Sequence, residues 1–219
     1  MAFLWLFKGP TDQELLANAA KAADFHPWSC WWSPLFLGGA PQAPGLTTTI
    51  SYLLLKAFML PFGVVWGSKL AVLVMALLGG WGVVVFVRRW INDETAAWLA
   101  GAAYLLGPQM ALRIAANEHL PVVIAMVFAP WVLWALLGLA VESSWKNALI
   151  LAVWSAGMTL AFTKLAVVFA PLAAFFAGYL LVINREGRKG LLIGLARTLG
   201  LYIPLAVVLL LPTLREVKW

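Results

Sequence analysis

From about residue 46 to residue 212 the chain is a succession of apolar stretches parted only by short polar breaks. The stretches fall at about 46–64, 69–88, 95–112, 120–141, 147–163, 165–183 and 190–212. Roughly 20 apolar residues in a helix cross the roughly 30 Å hydrocarbon core of a bilayer. Inside hydrocarbon every backbone N–H and C=O must bond within the protein, so only helices and closed barrels traverse it. A barrel requires strands of alternating polarity, and no such alternation occurs here. The pattern predicts an all-α polytopic integral membrane protein of about seven hydrophobic helices. Composition agrees, since 63% of the 219 residues are hydrophobic and 11% charged.

Residues 1–43 differ from residues 44–219, the transmembrane helical domain. The run Met-Ala-Phe-Leu-Trp-Leu-Phe-Lys8 is too short for a signal peptide or a span. Thr11 or Asp12 would then cap a helix running to about Ala23, with Glu14 in its first turn. Leu15, Leu16, Ala19 and Ala23 would share one face, as in a helix lying on the membrane surface. Trp28, Trp31 and Trp32 follow, and tryptophan favours the headgroup region. Gly38-Gly39-Ala-Pro41 closes this interfacial helix and outer loop as a turn-rich stretch.

The net charge of +6 is not a nucleic-acid signal, because no basic run is long and the basic residues sit at helix ends. It implies topogenic charge and contact with anionic membrane lipid. Arg88/Arg89, Lys146 and Arg185/Arg188/Lys189 mark every second break, which predicts those three breaks to be cytosolic. The 113–119 junction, Thr163-Lys164 and the C-terminus would then lie outside. Residues 1–43 lie inside if 46–64 spans fully, and outside if it dips in and returns; Lys56 within that stretch favours a partial span. Brief loops and the lack of a targeting peptide point to a prokaryotic inner membrane. The lone Cys30 excludes an internal disulfide framework and a cysteine-rich metal site.

The polar residues most in need of explanation lie between two apolar stretches, in Arg113-Ile-Ala-Ala-Asn117-Glu118-His119-Leu-Pro121. Ionisable groups are costly in hydrocarbon and cheap where they line a wet cavity or a loop at the membrane face.

Three features together resemble the polytopic membrane glycosyltransferases of the GT-C fold, with the nearest likeness to YfhO-type bacterial membrane proteins. The first is Asp12 ahead of Trp32-Ser-Pro34-Leu-Phe-Leu-Gly38-Gly39-Ala-Pro41, leading to Pro44-Gly-Leu. The second is the pair 69–88 and 95–112, joined by Arg88-Arg89 and ending near Gly107-Pro108. The third is Asn117-Glu118-His119-Leu-Pro121. The chain departs from that pattern in having no spanning helix before its acidic loop and in its shortness. It reads as an N-terminal module, a short member or part of a split protein.

The resemblance implies transfer of a sugar from a polyprenyl-phosphate donor to an acceptor at the outer membrane face. Asp12 would be the first-loop acid and general base, with Asp24 its rival. Glu118 would be the second-loop acid, orienting the acceptor or assisting a divalent metal. Arg113 and His119 would face the substrate phosphate, for which a guanidinium offers a fixed fork of donors, and Asn117 would also bind substrate. Lys164 is a further phosphate candidate, and Trp32 would stack on a sugar ring. Each residue also has a plainer reading. Asp12 is an ordinary helix cap on capping preference alone, and Arg113 with Glu118 makes a helix-end salt bridge. His119 lacks a second ligand at metal spacing. Lys164 reads equally as a snorkelling lysine, and Trp32 as part of an interfacial belt. Two other functions fit the pattern. One is a transporter or flippase for a lipid-linked or anionic substrate, using Arg113, Glu118 and Lys164. The other is a non-catalytic subunit packed on a partner membrane protein.

Overall fold

The structure, a computed structural model, describes residues 49–107 and 120–216. Among these residues the only regular elements are helices: α1 (Thr49–Ile91), α2 (Glu94–Leu106), α3 (Leu120–Val141), α4 (Trp145–Ala161), α5 (Thr163–Ile183) and α6 (Arg188–Glu216). Four stretches are long and apolar enough to cross a membrane: Trp66–Ile91, Val122–Val141, Thr163–Ile183 and Arg188–Ala206. The described residues are all-α, and four such helices mark an integral membrane protein.

The expected helices 46–64 and 69–88 form one element, α1, folded on itself. Its backbone leaves the helical region at Gly63, with φ 74° and ψ 171°. In a straight helix, residues eight apart lie about 12 Å apart. Here a Cβ built on Gly67 would fall 2.6 Å from the Met59 Cα and 2.5 Å from the Phe58 carbonyl oxygen. The two legs therefore lie together as a hairpin. The sequence places the break between these stretches at Pro61-Phe62-Gly63 and Gly67-Ser68-Lys69; the chain turns at Gly63, while residues 67–69 are helical. Gly67 serves close approach of the legs, and Gly63 alone makes the turn. The first leg contains the short apolar helix Leu53–Gly63.

α3 is the central helix, packing on α1 and α4, and 67% of its spanning window is buried. α2 packs on α1, and α6 on α4. For α5 and α6 only 17% of the window is buried. Val168 and Phe175 of α5 are 72% and 76% exposed, an arrangement at no cost where the surroundings are lipid tails. Without a hydrophobic drive between helices in lipid, close packing through small residues does the work. Gly80 admits Leu105, Gly157 admits Phe128 and Gly194 admits Leu139.

Two apolar clusters fill the bundle. One joins Leu55 and Met59 of the first leg of α1 to Val72 and Met75 of its second leg and to Ile124 and Val127 of α3. The other joins Phe86, Leu136 and Leu139 to Leu151, Phe176 and Leu191.

The breaks are short and capped. Asn92 ends α1 at φ 57°, a left-handed conformation that asparagine tolerates. Asp93 caps α2 by accepting from the Ala96 N–H at 3.0 Å. Ser144 caps α4 by accepting from the Asn147 N–H at 3.3 Å. The last carbonyls of a helix have no partner within it, and side chains supply them for α3. Asn184 Nδ2 donates to the Ala140 carbonyl at 2.8 Å and Asn147 Nδ2 to that of Glu142 at 2.8 Å, with a second contact at 3.2 Å to the Gly138 carbonyl, which also accepts from the Glu142 N–H. Arg89 lies beside Gly138, whose added Cβ would be 3.2 Å from the guanidinium. These contacts gather the three arginine- and lysine-bearing breaks at one end of the bundle, the basic end.

Candidate functional site

Of the residues singled out from sequence, the described one, Lys164, lies at the opposite end. α2 finishes there at Leu106 and α3 begins there at Leu120, and Arg113, Asn117, Glu118 and His119 fall between these two ends in sequence. Those four residues, with Asp12 and Trp32, lie outside the described residues. Lys164 is described. It sits in the first turn of α5 with its side chain exposed. The expected break at Thr163-Lys164 falls one residue earlier, at Phe162, whose extended backbone (φ −164°, ψ 100°) ends α4. Thr163 opens α5, and its hydroxyl donates to the Thr159 carbonyl of α4 at 3.0 Å.

Next to Lys164 the hairpin of α1 is tied down. Ser51 is fully buried, and its hydroxyl donates to the carbonyl of Ala161 at 3.1 Å. Ala161 is the last residue of α4, where backbone partners run out. One bond thus meets a helix-end carbonyl and docks the first leg of α1 against the α4–α5 corner.

Both feet of the 108–119 segment are stitched together. Pro130 within α3 has no N–H, so the carbonyl four residues back, that of Met126, has no helical partner. The Tyr104 hydroxyl, in the last turn of α2, donates to that carbonyl at 2.8 Å. A neighbouring helix commonly re-satisfies a proline-freed group in membranes, and here the donor fixes the end of α2 against α3.

Beside this stitch a cleft of about 530 Å³ opens between α1 and α2. It is lined by apolar side chains, among them Val74, Leu78, Val84, Ala102 and Leu105, with Trp81 and Trp98 at its basic-end side. Those two indoles meet at 5.7 Å between ring centroids. Trp81 and Trp98 are 47% and 54% exposed, so the cleft is open at the bundle surface. Its other end reaches the last turn of α2, immediately before Gly107.

One further residue reads in the sequence only as part of a break. Lys69 is only 3% exposed, and its ammonium lies 5.6 Å from the Trp66 ring centroid. Gly67-Ser68 before it imitates a loop and hid its place inside a spanning helix. The available signal was an ionisable side chain within an apolar stretch. Lys69 is seven residues, two helical turns, before Ala76 and eleven before Gly80, on the stripe that α2 covers at Gly80 and Leu105. It stands beyond the C-terminal end of α2. Compared with protein families, with curated proteins and with solved structures, the chain shows no match.

Proposed function

We propose that the chain is a GT-C-like membrane glycosyltransferase or its N-terminal module. It would transfer a sugar from a polyprenyl-phosphate-linked donor to an acceptor at the outer face of a prokaryotic inner membrane. The observation that carries this reading is the lipid-open apolar cleft between α1 and α2. Such a donor needs a place for its tail within hydrocarbon and polar groups for its phosphate at the membrane face. The cleft supplies the first. It runs to the last turn of α2, after which the sequence brings Arg113, Asn117, Glu118 and His119. Lys69 and Lys164 lie at that end, Arg113 follows α2 in sequence, and the leaving phosphate requires positive charge. Asp12 and Glu118 are the two acids assigned to acceptor activation and orientation.

The test is a transfer assay with purified chain and a radiolabelled polyprenyl-phosphate sugar. Asp12→Ala and Glu118→Ala are expected to lower transfer by roughly 10²–10⁴-fold, the usual worth of a general base, with expression intact. Normal transfer by both variants would sink the site. Ala102→Trp fills the cleft from an exposed position, and is expected to raise KM for a long-tailed donor while sparing a short-tailed analogue.

A transporter or flippase for the same lipid-linked substrate is the second reading, favoured by the buried Lys69 within a spanning helix. Lysine inside a membrane marks substrate or ion pathways. Movement of a fluorescent lipid-linked sugar across proteoliposomes without transfer, lost in Lys69→Gln, would select it over the enzyme.

A further inference from the structure

At the basic end Arg197 sits nine residues into α6, about 13 Å along the helix from Arg188. It is half-buried. Its side chain turns back to the α3–α4 corner, where Nη1 donates to the Ser143 carbonyl at 3.2 Å. The guanidinium lies 4.8 Å from the ring centroid of Trp145. Gly190 and Gly194 bring α6 this close: an added Cβ on Gly194 would be 3.0 Å from the Ser143 hydroxyl, which itself donates to the Gly190 carbonyl.

A cation partly withdrawn from water pairs with a charge or with backbone carbonyls, and the Ser143 carbonyl is one such partner. Among the described residues the ion pair formed is Arg88 with Glu94, and Arg197 has no carboxylate partner. Glu142, adjacent to Ser143, is exposed and pairs with no cation there. A guanidinium carries five N–H donors, and a single hydrogen bond occupies one. Exposed Lys146 and Lys189 flank the position, next to Trp145 and Gly190 respectively. Trp145 is 61% exposed, as suits an indole at the headgroup level.

We propose that Arg197, seated on Trp145 at the α4–α6 corner and flanked by Lys146 and Lys189, binds the phosphate of an anionic phospholipid headgroup. The lipid's phosphodiester completes the guanidinium's hydrogen bonds in a fork geometry. Its acyl chains run along the exposed apolar faces of α4 and α6, which include Leu149, Val153, Ile193 and Leu199. The site is independent of sugar transfer and lies at the other end of the bundle.

The test uses the full chain in nanodiscs of phosphatidylcholine, alone or mixed with phosphatidylglycerol. Phosphatidylglycerol is expected to raise Tm by roughly 3–8 °C, as a ligand bound only by the folded state does. In Arg197→Gln that rise is expected to fall by at least half. No rise in the wild-type chain, or an undiminished rise in Arg197→Gln, overturns the proposal. If Arg197→Gln does not fold, Lys146→Gln/Lys189→Gln decides. Both side chains are exposed, and a rise cut by half supports the site while an unchanged rise overturns it. A rise reproduced by inorganic phosphate in phosphatidylcholine discs overturns the lipid as the source.

Discussion

Residue by residue, the bundle is organised by carbonyls that lack a helical partner. Met126 loses its partner to Pro130 and takes the Tyr104 hydroxyl instead. The dependence is conditional, which makes it testable. Tyr104→Phe alone is expected to destabilise the folded chain by about 1 kcal/mol, the scale of a side-chain hydrogen bond within a membrane protein. In a Pro130→Ala background the backbone N–H restored at that position serves the Met126 carbonyl, and the same Tyr104→Phe change is expected to cost little. Denaturant unfolding of the four proteins in micelles measures the coupling; equal costs in both backgrounds would refute it. None of this was legible beforehand. Pro130 announces an orphaned carbonyl, but nothing in the sequence says that Tyr104, 22 residues before Met126, is the donor, nor that Ser51 serves Ala161. Such pairings are set by packing, whereas the Asp93 cap was legible because its donor is three residues away.

At the scale of elements, apolar length and turn chemistry located most helices, and the departures have local causes. The stretches 120–141 and 165–183 are recovered almost to the residue, because Pro121, Glu142 and Asn184 bound them. α1 departs because glycine has two uses, and Gly63 and Gly67 look alike in sequence. Their substitutions separate them. Gly63→Ala places a side chain at φ 74°, ψ 171°, a conformation nearly reserved for glycine, though nothing lies within 4 Å. The expected loss is about 1–3 kcal/mol from backbone strain. Gly178 in α5 also has nothing within 4 Å and is helical, so Gly178→Ala is expected to be neutral or to stabilise by up to about 1 kcal/mol. Unfolding of both in the same detergent gives the comparison, and a harmless Gly63→Ala would mean that the hairpin of α1 does not turn there.

For the molecule as a whole, membrane class and helical architecture follow from apolar stretch after apolar stretch, and the gathering of the basic breaks at one end follows their alternation in sequence. The candidate site was far less legible, since Lys164 alone of its seven expected residues is described and the buried Lys69 was hidden by the glycine and serine before it. The alternation still makes a sidedness prediction. In a Cys30→Ser background, Glu142→Cys and Glu186→Cys are expected to react with an impermeant maleimide only in opened cells, and Lys164→Cys in intact ones. The reverse pattern would invert the bundle, and labelling of native Cys30 reports where residues 1–43 lie relative to Lys164. Mechanical extraction exposes a different consequence of the corner at Phe162. A single residue joins α4 to α5, so the joint holds no slack. When the chain is drawn from the bilayer by its C-terminal end, α5 cannot leave while α4 stays anchored, and the two should give one force peak where a longer loop would give two.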